Sequence, residues 1–217
     1  CMAISVAVAI GDSADKLIEN ITPKINNIKV GPYNDESSDM GPVVSKDAYE
    51  RINGLIDSGV EEGANLIIDR RNIKLQGYEN GYFIGPCLFD NVKDNMKIYK
   101  EEIFGPVLSI VRAKNYEEGL QLVKDNPYGN GCSIFTRDGD TARNFSSEAN
   151  IGMVGVNIPI PVPVAYFSFG GWKNSIFGGH NAYGMEAIRF YTHTKTITSK
   201  WPEGIRSGAQ FTMPTLG

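Results

Sequence analysis

Apolar residues along the first 157 positions switch repeatedly between a period of two and a period near 3.6, and that alternation leaves few folds open. Ile4, Val6, Val8 and Ile10 alternate with Ser5, Ala7 and Ala9, small residues that an interior strand can bury on its second face. Leu17, Ile18, Ile21, Ile25 and Ile28 then recur at helical spacing, with Pro23 expected to kink or shorten the helix. The spacing of Ala48, Ile52, Leu55, Ile56 and Val60 predicts the clearest helix over 45–63, capped by Ser45 and ended by Gly63. Strands are predicted at 65–69, 81–89 (interrupted by Pro86), 107–111, 132–136 and 152–157. Between them, helices open at Asn115, with Glu118 three residues on, and near Asp138 or Asp140. Strand and helix in turn imply an α/β fold, a mostly parallel sheet flanked by helices.

The character changes at Asn157. "NIPIPVPVAYFSFGGWKNSIFGGHNAYG" carries prolines at alternate positions, then glycines and aromatics, and reads as a long ordered loop of the kind that usually serves function. A last helix is expected around 185–190. The β-branched alternation of "YTHTKTITSKW" (191–201) predicts a strand that pairs outside its own domain, an oligomerisation strand followed by a tail. The expected division is therefore a large domain over 1–190 and a strand with tail over 191–217.

Composition narrows the partners. With 217 residues, 41% of them hydrophobic, the chain can bury a substantial core. A net charge of −4 excludes a broad basic surface, so no nucleic-acid partner is expected, although a local pocket can still hold an anion. The longest apolar run, around 3–10, is far below the ~20 residues of a membrane helix, so no membrane partner is expected either. Cys1, Cys87 and Cys132 are far apart and form no CxxC pair, which points to a reducing, cytoplasmic setting. His180 and His193, the only histidines, have no metal-like companions nearby; no metal site is expected, and they read as surface or hydrogen-bonded residues.

Two short stretches invite chemistry. The chain begins with Cys1, which is a core thiol exposed by truncation, a nucleophile using its own α-amine as base, or the catalytic cysteine of a longer enzyme. In "KEEIFGPV" (100–107), Glu101 and Glu102 precede Ile103 and Phe104, both expected to be buried, and Gly105-Pro106 turns the chain into the next strand. A carboxylate there can accept hydrogen bonds from a ribose diol, and an aromatic ring two residues on can pack on a heterocycle. On the residues alone, an ordinary turn is the favoured reading.

Together, "GYFIGPCLFDNVKDNMKIYK", "EEIFGP", "NPYGNGCSIFTRD" and "GMVGVN…FSFGGWKNS" resemble the catalytic half of the aldehyde dehydrogenase superfamily, in order and spacing, over nearly the whole chain. The resemblance implies that Cys1, roughly a hundred residues before Glu102, is the nucleophile. It also implies that Glu102 binds the nicotinamide-side ribose of NAD and that Phe104 holds the nicotinamide ring. Phe169 becomes either part of an aromatic wall at the substrate mouth or a packed loop anchor. The implied chemistry is attack of Cys1 on an aldehyde, hydride transfer to NAD and a thioester on the enzyme. The proline loop, "AYFSFGGWKNS", the ending "FTMPTLG", and Ile176 where most members have Gly, resemble the coenzyme A-acylating branch that oxidises methylmalonate semialdehyde or malonate semialdehyde to propionyl-CoA or acetyl-CoA. Coenzyme A is then a co-substrate. The hydrolytic branch, which releases a carboxylic acid, is the alternative, and an N-terminal-nucleophile hydrolase the more distant one. The family's glycine-rich nucleotide-binding half, oxyanion asparagine and substrate arginines do not occur in these residues. The resemblance therefore implies a missing N-terminal half as partner, an isolated chain without activity, a homo-oligomer (dimer or tetramer) when complete, and a cytoplasmic or, in a eukaryote, mitochondrial-matrix setting.

Overall fold

The structure, a computed structural model, describes residues 3–201; Cys1 and the tail over 202–217 lie outside the described residues. In chain order its elements are β1 (Val6–Ile10), α1 (Ser13–Asn27), α2 (Lys46–Glu61), β2 (Asn65–Ile68), β3 (Cys87–Asp90), α3 (Lys97–Lys100), β4 (Val107–Ala113), α4 (Tyr116–Asp125), β5 (Tyr128–Gly129), β6 (Gly131–Ile134), α5 (Gly139–Glu148), β7 (Met153–Val156), β8 (Trp172–Lys173) and α6 (Glu186–Tyr191). They form two compact units. One runs to Pro163 and includes Gly170–Gly179; the other comprises Val164–Phe169 and residues from His180 onward.

In the first unit a four-stranded sheet has the order β1-β4-β3-β2. β4 pairs in parallel with both β1 and β3, and β2 adds an antiparallel edge to β3. Alternation along the strands sends side chains to two cores. Phe89, Val107 and Val111 pack with Ile52, Leu55 and Ile56 of α2, while Leu88 and Ile110 pack with Ala14 and Ile25 of α1. The two helices therefore cover opposite faces. The expected single sheet is a corrected point: β6 and β7 form a separate parallel pair, and β5 and β8 an antiparallel one. β6 and β7 pack their own cluster, Phe145, Ala149 and Ile151 with Cys132 and Val154, against α4 and α5 instead of extending the main sheet.

Local chemistry explains the element boundaries. Ser45 Oγ accepts the Ala48 N–H, Asn115 Oδ1 accepts the Glu118 N–H, and Asp138 Oδ1 accepts the Thr141 N–H, each closing a helix N-terminus. Glu118 returns its carboxylate to the Lys114 N–H at 2.8 Å, one residue earlier than the usual reciprocal cap. Pro23 does not shorten α1, which continues to Asn27; burial of Ile25 and closure of the helix end by Arg70, which donates to Ile25 O and Ile28 O, offset the lost N–H. Arg112 grips the buried Asp90 with Nε and Nη2 and also reaches Asp15 of α1, fastening the helix to the sheet. Burial, the largest single influence, would raise the Asp90 pKa, but the Arg112 hydrogen bonds and charge together with the Asn91 backbone N–H outweigh it and hold the carboxyl below its ordinary range.

The second unit is held by small contacts. The Phe169 and Tyr183 rings meet edge-on at 6.3 Å, Ser168 Oγ donates to Tyr183 O, and His180 Nδ1 lies 3.0 Å from Glu186 of α6. The strand expected over 191–201 calls for pairing outside its own domain. Residues 192–201 carry no ladder, and Ile197 is 78% exposed. No described helix is long and apolar enough to cross a membrane.

Candidate functional site

The turn over 102–106 is built by the elements on either side of it. α3 delivers the chain from its last turn, with Glu101 N–H donating to Lys97 O, and Ile103 then anchors the backbone in the α2-facing core at 5% exposure. Gly105 follows, and a Cβ at that position would lie 2.8 Å from Ile52 Cδ1, so only glycine lets the turn settle on α2. Pro106 O accepts the Cys87 N–H at 2.8 Å and Val107 begins β4, so the turn ends locked to the sheet. From α2, Arg51 donates to the Glu102 carbonyl at 3.3 Å.

Between those fixed points, Phe104 takes φ = 51°, a left-handed conformation that costs a non-glycine residue about 1–2 kcal/mol. Contrary to the expectation of burial, its ring is 68% exposed. The left-handed backbone rotates the side chain out of the core that Ile103 enters. Glu102 is exposed as well, and its carboxylate makes no hydrogen bond or ion pair with any described residue. An acceptor-only carboxylate and a free ring two residues apart, on a turn whose backbone is held from three sides, fit a diol and a flat heterocycle.

The other predicted site residues are Cys1 and Phe169. Cys1 lies outside the described residues, although β1, which follows it, pairs with β4 so that Ser109 N–H donates to Ser5 O. The described chain thus enters β1 at the end of the sheet where the turn delivers β4. Phe169 belongs to the second unit, where its ring meets Tyr183 edge-on. The other cysteines are poor nucleophiles: burial raises the thiol pKa of both Cys87 and Cys132. Among the described residues no group of three or more potential ligands could hold a metal ion. A depression of about 320 Å³ is lined by Ile73, Tyr78 and Phe83, away from Glu102 and Phe104 in the sequence.

Sequence reasoning missed Arg51, Glu62, α3 and the anchor formed by Lys173. The Lys173 ammonium donates to Val123 O, Lys124 O and Asn126 O at 2.9–3.0 Å, closing the C-terminus of α4. These residues act on backbone atoms distant in sequence, and no periodicity records such a contact.

The parallel β1–β4 and β3–β4 pairings do not fit the antiparallel sandwich expected of an N-terminal-nucleophile hydrolase. The aldehyde dehydrogenase family pattern matches residues 1–197. The chain belongs to the aldehyde dehydrogenase family. It is 53% identical over 218 positions to a malonate-semialdehyde dehydrogenase of Pseudomonas aeruginosa, covering all of this chain and 44% of that protein. It is 47% identical over 219 positions to the mitochondrial, acylating methylmalonate-semialdehyde/malonate-semialdehyde dehydrogenase of Bos taurus, covering all of this chain and 41% of that one. Its fold is similar to a Sinorhizobium meliloti 1021 protein assigned as a methylmalonate-semialdehyde dehydrogenase and solved with NAD, with a TM-score of 0.89 and 62% identity over 95% of this chain and 42% of that one. This aldehyde dehydrogenase chain therefore spans less than half the length of the relatives it matches.

Proposed function

We propose that this chain is the catalytic half of an NAD-dependent, coenzyme A-acylating aldehyde dehydrogenase that oxidises malonate or methylmalonate semialdehyde. The observation that carries the reading is the 102–106 turn, which holds a strained backbone while presenting an exposed ring two residues after a carboxylate that has no partner among the described residues. Glu102 would accept the two hydroxyls of the nicotinamide-side ribose, and Phe104 would lie against the nicotinamide ring. NAD, when bound, supplies the hydride acceptor.

The chemistry of this chain centres on Cys1. An ordinary thiol, with a pKa near ~8.5, supplies only a few per cent of thiolate at pH 7, so Cys1 needs activation by its surroundings. The thiolate adds to the aldehyde carbon to form a thiohemiacetal, and loss of hydride leaves a thioester on sulfur. The thiol of coenzyme A then takes the acyl group and the Cys1 thiolate departs. The C–C bond to the substrate's own carboxylate breaks to release carbon dioxide and the carbon left behind takes up a proton from solvent, so malonate semialdehyde gives acetyl-CoA and its methyl homologue gives propionyl-CoA. The relatives named as acylating, and Ile176 in place of the family's usual glycine, support this branch over the hydrolytic one.

The nucleotide-binding half, the oxyanion asparagine and the substrate arginines would come from an upstream segment, and the active assembly would be a dimer or tetramer. The isolated chain is accordingly expected to be inactive. The test is an assay of the chain joined to an upstream half of the kind its relatives carry, with malonate or methylmalonate semialdehyde, with and without coenzyme A. Turnover should require the thiol and vanish in Cys1→Ala. Strong turnover without any thiol would sink the acylating branch, and normal turnover by the isolated chain would sink the division into halves.

A further inference from the structure

α3 is a helix of four residues with nothing at its own N-terminus to hold it: the N-cap residue, Met96, offers no side-chain acceptor to the first N–H groups. The acceptor comes from elsewhere. Glu62, the first residue after α2, places Oε2 2.7 Å from the Lys97 N–H, satisfying that donor and setting a negative charge at the helix start. α3 sits down here because Gly59 leaves room for it, a Cβ there coming within 2.8 Å of Ile98 Cδ1. Three turns earlier on α2, Arg51 holds the Glu102 carbonyl. One helix therefore pins the segment over 97–102 at both ends, and the segment's exit carries Glu102 and then Phe104.

We propose that Glu62 is a positioning residue for nucleotide binding: by capping α3 it sets where the 102–106 turn presents its carboxylate and ring. The inference rests on the reading of Glu102 and Phe104 given above. It assigns Glu62 no contact with the nucleotide.

The hydrogen bond can be removed from either side. Glu62→Ala deletes the acceptor, and Glu62→Gln keeps an acceptor oxygen without the charge. Lys97→Pro deletes the donor at the first helical position, where proline is tolerated, and Met96 already has the extended conformation that a following proline requires (φ −73°, ψ 149°). In the isolated chain, Glu62→Ala should speed amide exchange over 98–102 roughly tenfold and leave the β4 amides unchanged. In the enzyme joined to its upstream half, the KM for NAD should rise roughly three- to tenfold, with kcat and the aldehyde KM within about twofold. Glu62→Gln should recover most of the loss, Lys97→Pro should reproduce it, and the Ala/Pro double variant should be no worse than either single one. Should Glu62→Ala fail to fold, the Gln and Pro variants decide.

An unchanged KM for NAD in Glu62→Ala or Lys97→Pro, with only a lower thermal midpoint, would overturn the proposal. Glu102→Gln separates the two levels. If it leaves the KM for NAD unchanged, the reading of the turn fails; if it raises that KM while Glu62→Ala does not, the positioning role alone fails.

Discussion

Phe104 and Lys173 share a left-handed backbone, at φ of 51° and 53°, yet stand in opposite relation to the protein around them. Lys173 repays its strain within the fold through three hydrogen bonds from its ammonium to the end of α4. Phe104 repays none of it: its ring stands in solvent. Strain that the surrounding contacts recover marks a structural anchor, and strain they leave unrecovered marks a surface arranged for something that binds later. Asn91 and Asn157 take the same conformation, but asparagine tolerates it and so carries less information.

The largest effect that would sharpen this contrast is expected at the anchor. Lys173→Met should destabilise the fold by about 2–4 kcal/mol, because three carbonyls at the α4 terminus lose a charged donor, and a urea midpoint will report it. A loss below about 0.5 kcal/mol would mean that solvent replaces the ammonium freely and that the two turns differ less than their geometry suggests. Next comes the seat of the other turn. Gly105→Ala should cost about 1–3 kcal/mol by driving a methyl into Ile52, and should weaken NAD binding in the assembled enzyme because the turn must lift from α2. Smallest in magnitude and opposite in sign, Phe104→Gly should stabilise the chain by up to about 1 kcal/mol through relief of strain, while raising the KM for NAD. The same relief at Lys173→Gly should be swamped by the lost hydrogen bonds. If Phe104→Gly destabilises instead, its ring is packed and the contrast breaks.

Much of the local structure was legible in the residue order. The faces of α1 and α2, the caps at Ser45, Asn115 and Asp138, and the strands β1 and β4 all follow from short-range periodicity and short-range hydrogen bonds. The separation of β6 and β7 from the main sheet was not legible, since a strand's own pattern does not name its neighbour. Nor was the path of residues 192–201 within the chain, whose strand-like alternation forms no ladder there. The site divided in the same way. Resemblance picked out Glu102 and Phe104, but a reading of the turn alone buried Phe104 beside Ile103, because a left-handed residue breaks the alternation on which such a reading rests.

By itself the sequence determined the α/β class, the elements that repeat within a helix turn or a pleat, and the family to which its motifs belong. Those depend on neighbours a few residues apart. Only the tertiary structure decided that α2 and the residue that follows it hold the segment over 97–106 through Glu62, Arg51 and Ile52, and that Lys173 closes α4. It also decided that Phe104 faces outward. Each of these depends on where a backbone carbonyl, amide or methyl arrives from tens of residues away, and packing sets that position where periodicity does not.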